Sequence, residues 1–195
     1  MIVLGVDPGT AATGYGVITI DHPGTLTLIE CGVIRTRPRD PLPSRLHDVY
    51  EGVAELIRTH RPAALSVEDV FYARNVRTTV VLGHARGVIL LAAQQAGIAI
   101  FEYSPATIKK VVVGTGAATK AQVQFMLTRL LRLKSVPQPA DAADGVAAAL
   151  TYALTTPLTE RARLGSPMTP PSAFPTPGSR TPEARTRRRQ LDTTR

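Results

Sequence analysis

The chain predicts an α/β fold organised around an open sheet, on three observations. Ile2-Val3-Leu4-Gly5-Val6 is a branched apolar run of strand length that reads as buried on both faces, and it stops at Asp7 before the turn signal Pro8-Gly9-Thr10. Ala63-Ala64-Leu65-Ser66-Val67 repeats the pattern and runs into Glu68-Asp69. Between and after these strands lie stretches of helical periodicity. Two parallel strands that both end in acid bring their side chains to one edge, and open α/β sheets carry their sites at the carboxyl ends of their strands.

Taken in order, a second strand over about 14–20 returns beside the first as a hairpin, and 25–35 alternates well enough for a third, half-exposed strand. Arg35, Arg37 and Arg39 then punctuate a proline-rich loop, which is either simply solvated or able to touch phosphates. Ser44 is the expected N-cap of a helix to about Thr59, with Leu46, Val49, Val53, Leu56 and Ile57 on one face. A helix over about 75–95 is apolar or small almost all round. It should therefore be covered on more than one side, and Gly83 and Gly87 allow close approach of another element or a second subunit.

A fifth strand spans about 97–103, followed by a short helix from Ser104-Pro105 to Val113. Gly114-Thr115-Gly116, bracketed by Lys109, Lys110 and Lys120, is either a turn between helices or a weak phosphate-binding loop. Val123, Met126, Leu127, Leu130 and Leu131 fix an amphipathic helix over about 119–133. After Pro137-Gln138-Pro139 a final helix carries Asp141 and Asp144 three residues apart on one face, with Gly145 and Ala148 beside them. Val146, Leu150 and Ala153 lie nearly opposite, so this helix is expected to anchor by that side and offer its carboxylates on the other. The alternative is that the two acids only complement the helix dipole.

Composition narrows the class. The 195 residues carry a formal charge of +8, which favours a polyanionic partner. The excess is uneven: residues 1–157 hold 15 Lys/Arg against 12 Asp/Glu, and residues 158–195 hold 8 against 3. Seven of the sixteen prolines fall from Pro157 onward with Phe174 as the sole aromatic there, so 1–157 is expected to fold as one domain and 158–195 to be a disordered basic tail. A single cysteine, Cys31, fits a reducing cytoplasm, and the histidines show no zinc spacing. No signal peptide and no apolar run long enough to span a bilayer is apparent.

Asp7, Glu68, Asp141 and Asp144 are the candidate site: two acids at strand ends, two on a late helix that can fold over the same edge. Asp7 could instead cap its own turn. Four clustered carboxylates cannot all ionise unless divalent cations compensate them. Ligation by oxygen alone suits magnesium or manganese, and two such ions about 3.5–4 Å apart can hold a scissile phosphate.

At these residues the chain resembles RuvC, the bacterial Holliday-junction resolvase family. The resemblance is carried in family order over roughly residues 2–155 by G-V-D-P-G-T-A-A-T-G-Y-G at 5–16, S-V-E-D-V-F at 66–71, V-V-V-G-T-G-A-A-T-K-A-Q-V at 111–123 and A-D-A-A-D-G-V-A at 140–147. It implies an RNase H-like fold with a five-stranded mixed sheet of order 3-2-1-4-5, acting on four-way junction DNA as a homodimer in the cytoplasm. It further implies that Asp7, Glu68, Asp141 and Asp144 are catalytic metal ligands for two Mg2+ ions per site, with Mn2+ as substitute. Lys109 and Lys120 are implied phosphate contacts, Phe71 a base-stacking wedge, and Arg74 a further DNA contact in a part where the family varies. A complex with a branch-migration helicase is implied as well. Asp69 is a fifth acid where many relatives are neutral, either tuning the metal site or facing solvent, and nothing transfers from the family to the basic, proline-rich tail after 157.

Two other classes compete. An actin-like or sugar-kinase-like nucleotide-binding domain also follows an aspartate with small residues, but such folds duplicate this unit and no second copy is visible here. A junction-binding module without catalysis is opposed by the four intact acids.

Overall fold

The structure, a computed structural model, describes residues 1–22, 25–69 and 76–157. The branched N-terminal run forms β1 (Ile2–Asp7), buried along its centre. β2 (Ala12–His22) returns antiparallel with Gly14 opposite Asp7, and β3 (Thr25–Arg35) pairs antiparallel with β2. β4 (Ala64–Glu68) and β5 (Ala99–Tyr103) add in parallel on the other side of β1. The result is a five-stranded mixed sheet of order β3-β2-β1-β4-β5, as the resemblance implies.

Strand alternation sorts the sheet into two cores. Leu4, Val6, Val17, Leu65 and Val67 face α1 (Leu42–His60) and α2 (Val76–Gln95), meeting Val49, Val53 and Ile89. Val3, Ile18 and Ala64 face α3 (Pro105–Val113), α4 (Lys120–Leu130) and α5 (Ala140–Thr155), meeting Ile108, Leu127, Val146 and Leu150. On this second face the helix sits on backbone. A Cβ at Gly5 would lie 2.2 Å from the Gly145 carbonyl oxygen, one at Gly16 2.5 Å from the Val146 side chain, and one at Gly145 2.5 Å from the Tyr15 Cα. Glycine is the residue that leaves this room. The Ser66 hydroxyl, fully buried on the same face, donates to the Ala148 carbonyl at 2.6 Å and fastens α5 to β4.

Local chemistry sets the ends of the helices. Ser104 caps α3 by accepting from the Thr107 N–H at 3.1 Å, and Gly114 closes that helix in the left-handed region at φ 98°. Thr119 and Gln122 form a reciprocal capping box on α4. The Gly114-Thr115-Gly116 stretch is thus a turn between helices.

Several expectations need correction. Ser44 does not cap α1: the helix starts two residues earlier behind Pro41, which offers no side-chain cap, because Pro43 is tolerated in the first turn where an N–H is not needed. The 119–133 helix ends at Leu130, although Leu131 stays buried. The side of α5 that carries Gly145 and Ala148 does not face away; it is the side on the sheet, and the helix is buried all round from Ala142 to Ala153 apart from Asp144.

Among the described residues, α2 is covered on one side only. Ala85, Ile89, Ala92 and Ala93 are buried, whereas Val76, Val80 and Leu91 are exposed and a Cβ at Gly83 or Gly87 would meet open space. By length and composition α2 is also the one described helix that could cross a bilayer, contrary to the reading that no run is long enough. Arg86 nevertheless lies inside it and pairs with Glu102 of β5, which suits a helix lying on a sheet. Residues 158–195 and the segment 70–75, with Phe71, Tyr72 and Arg74, lie outside the described residues.

Candidate active site

The parity of each strand decides which acids meet. Gly5 and Ser66 face α5, so Asp7 and Glu68, two residues further along β1 and β4, leave the sheet on that face at the carboxyl edge. Asp141 stands in the first turn of α5. Its backbone rests on Gly14, the cross-strand partner of Asp7: a Cβ there would lie 1.8 Å from the Asp141 carbonyl oxygen. Asp144, one turn further on, keeps its side chain 23% exposed.

The electrostatics of the acids follow from this convergence. Burial, then the charges of Glu68, Asp144 and Asp141, push the Asp7 carboxyl from 3.8 to about 8, against a lowering by Lys120. Burial and the Asp144 charge push Glu68 from 4.5 to about 7, opposed by Lys120 and Lys109. Asp7 therefore feels all three other acids. The Lys120 ammonium donates to Asp144 at 2.8 Å, and this hydrogen bond is the main reason its own proton is held more tightly than usual. Lys120 is the N1 residue of α4, placed there by the Thr119 cap, with its side chain 67% exposed.

A hard divalent cation suits this donor set. The available donors are carboxylate oxygens alone, and burial together with neighbouring negative charge raises the carboxyls of Asp7 and Glu68, a disfavoured charge that an ion of charge +2 would relieve. Among the described residues no three acidic, histidine or cysteine side chains already meet as a finished ligand set, and Asp144 is turned to Lys120.

Asp69 goes elsewhere. Its parity is opposite to that of Glu68, and its carboxylate stands 3.5 Å from the Arg86 Nε on the α2 face, while its N–H donates to the Tyr103 carbonyl at 2.8 Å. It is an anchor for the exit of β4 and takes no part in the acidic pocket. Lys109 is close enough to act on Glu68, whereas the expected DNA contacts Phe71 and Arg74 fall outside the described residues.

Sequence reasoning passes over the residues that hold the pocket. Gly5, Gly14 and Gly16 share one face by period two, and the small residues of α5 are their complement; that joint pattern is the available signal. The other omission is Arg45 on α1. Its Nε donates to the Thr10 carbonyl at 3.2 Å and to the Thr36 hydroxyl at 3.1 Å, and Thr36 in turn donates to Thr10 at 2.5 Å, pinning the loop that follows Asp7.

The sheet order defines an RNase H-like domain, with Asp7 within electrostatic reach of Glu68, Asp144 and Asp141 at the edge where β1, β4 and α5 meet. Residues 3–152 match the family model described as crossover junction endodeoxyribonuclease RuvC, and the chain belongs to that family. It is 46% identical over 154 residues to the crossover junction endodeoxyribonuclease RuvC of Pelotomaculum thermopropionicum, covering 78% of this chain and 93% of the relative. It is 43% identical over 166 residues to that of Rubrobacter xylanophilus, covering 85% and 92%. Among solved structures it resembles Thermus thermophilus RuvC in complex with a Holliday junction substrate, at 34% identity and a TM-score of 0.75, over 79% of this chain and 93% of that one.

Proposed function

We propose that this chain is a structure-selective endodeoxyribonuclease that resolves four-way DNA junctions by paired, symmetric nicks. The observation that supports the reading is that the buried Asp7 carboxyl feels the charges of Glu68, Asp144 and Asp141 together, in a chain whose relatives are named as junction endonucleases and whose structural neighbour holds a junction. Asp7 and Glu68 would hold one divalent ion and Asp7 with Asp141 and Asp144 a second, magnesium or manganese in its place, supplying an activated water and a stabilised leaving oxygen.

The chain's own groups do the rest. Asp7, central among the acids, must give up its proton before it can ligate, which burial opposes and neighbouring positive charge favours. Lys120 and Lys109, at the rim, are suited to orient the phosphates either side of the cut, and Lys120 would exchange Asp144 for DNA on binding. Attack in line with the 3′-oxygen leaves 5′-phosphate and 3′-hydroxyl ends. Two copies are required for paired nicks, and the uncovered apolar side of α2, with Val80, Gly83, Gly87 and Leu91, supports a homodimer. We place the protein in the cytoplasm, working with a branch-migration helicase, with residues 1–157 as the nuclease domain and the basic tail from 158 outside it.

The test compares mobile and fixed four-way junctions with plain duplex, with and without Mg2+, for the full chain and for Asp7→Asn. Expected is junction-selective cutting only with metal, and a loss of about a hundred- to a thousandfold in Asp7→Asn with binding retained, a loss of the size seen when one preorganised group is removed from an active site. Undiminished cutting by Asp7→Asn refutes the reading.

A further inference from the structure

We infer that Arg35, Arg37 and Arg39 form a phosphate-binding shelf for the DNA strand on the β3 side of the acidic pocket, opposite Lys109. Three observations meet here. The first is register. Cys31 packs into the α5-side core, Arg35 follows it by four residues along β3, and Arg35 pairs with Ala12, two residues before Gly14. Even spacing therefore puts Arg35 on the same face and at the same edge as Asp7 and Glu68. Crossing two strands and advancing two residues separates the Arg35 and Asp7 backbones by about 12 Å, roughly the rise of three to four nucleotides along a duplex strand.

The second observation is that this shelf is fixed relative to the acids. Thr36, buried between Arg35 and Arg37, donates its N–H to the Ala11 carbonyl at 3.2 Å and its hydroxyl to the Thr10 carbonyl at 2.5 Å, and Arg45 clamps both. The Asp40 N–H donates to the Arg37 carbonyl at 3.0 Å and turns the loop. The loop bearing the arginines and the loop leaving Asp7 are thus one body.

The third is charge without a partner. Arg35, Arg37 and Arg39 are all exposed, and none makes an ion pair among the described residues, in contrast to Arg58 and Arg86. One guanidinium on the face of the acids and two more in the loop that follows it, held to the loop leaving Asp7, suit a polyanion that crosses this edge. Guanidinium groups recognise phosphate oxygens in a fixed fork geometry. A strand lying over the edge would meet arginine on one flank of the scissile phosphate and lysine on the other.

The inference rests on the junction-nuclease reading, and the experiment separates the two. Full-length protein, its variant Arg35→Ala/Arg37→Ala/Arg39→Ala and the charge-keeping variant with lysine at all three positions are titrated onto a four-way junction at a series of NaCl concentrations, without divalent ions. Melting curves verify that each is folded. The alanine variant is expected to bind 10- to 100-fold more weakly at moderate salt, with the slope of log affinity against log salt reduced by about 0.9 for each phosphate it no longer neutralises. The lysine variant should keep most of the slope. If wild-type protein binds the junction and Lys109→Ala flattens the slope, yet the triple alanine variant matches wild type, the shelf does not exist and the nuclease reading stands. If wild-type protein neither binds nor cuts junctions, both fall.

Discussion

The two faces of the sheet are built by different physics. Against α1 and α2 the contact is side chain on side chain: Leu4, Val6, Leu65 and Val67 interdigitate with Val49, Val53 and Ile89. Against α5 the strands offer Gly5, Gly14 and Gly16, and the helix comes down until carbonyl oxygens stand where Cβ atoms would be. The first face can absorb change by repacking, as hydrophobic cores do. The second cannot, because backbone does not change rotamer. The acids are on the second face, where the placement of Asp141 and Asp144 against Asp7 is set by the thickness of a peptide bond.

The comparison breaks most sharply with a matched pair of substitutions. Gly14→Ala puts a Cβ 1.8 Å from the Asp141 carbonyl and must lift the start of α5. It should cost about 3 kcal/mol in denaturant unfolding and, by moving Asp141 and Asp144 on the order of 1 Å, about a hundredfold or more in junction cutting. Leu65→Ala, at a fully buried position on the other face, should cost about 2–5 kcal/mol yet leave the cutting rate per folded molecule within a few-fold. Equal loss of rate in both variants would erase the distinction.

A smaller effect sharpens the same contrast through pH. Folding raises Asp7 from 3.8 to about 8 and Glu68 from 4.5 to about 7, so between those values the folded chain binds more protons than the unfolded one. Stability of metal-free protein should therefore fall as pH rises from about 4 to about 8. Added Mg2+ should restore more of it at pH 8 than at pH 5. Melting temperatures across that range check this, and in Asp7→Asn the slope should flatten. A slope unchanged by that substitution means the acids are not coupled.

Much of the molecule is legible in the sequence where local pattern decides the outcome. Branched runs ending in acid give β1 and β4, and the i, i+3, i+4 recurrence around Val123 and Leu127 gives α4. The acids are legible because charge at the end of an apolar strand demands a partner. What local pattern does not reach is everything that depends on which element covers which. The apolar circumference of α2 says nothing about whether its outer side is met within one chain, and Val80 and Leu91 are exposed here. The small side of α5 reads as an open frame for carboxylates because the glycines that receive it lie more than a hundred residues away. Ser44 misleads because a proline inside the first turn costs no hydrogen bond, so Leu42-Pro43 can open the helix behind Pro41 without a side-chain cap. Asp69 can be assigned only once the parity of β4 and the partner Arg86 are known.

The central claim is that four acids on the glycine-seamed face make one site for divalent cations. Anomalous diffraction from crystals of the full-length protein soaked in Mn2+ tests it directly. The account predicts Mn2+ peaks bounded by Asp7, Glu68, Asp141 and Asp144, with Lys120 released from Asp144. Manganese bound elsewhere on the molecule, with the Lys120 and Asp144 pair intact and no peak beside Asp7, contradicts it.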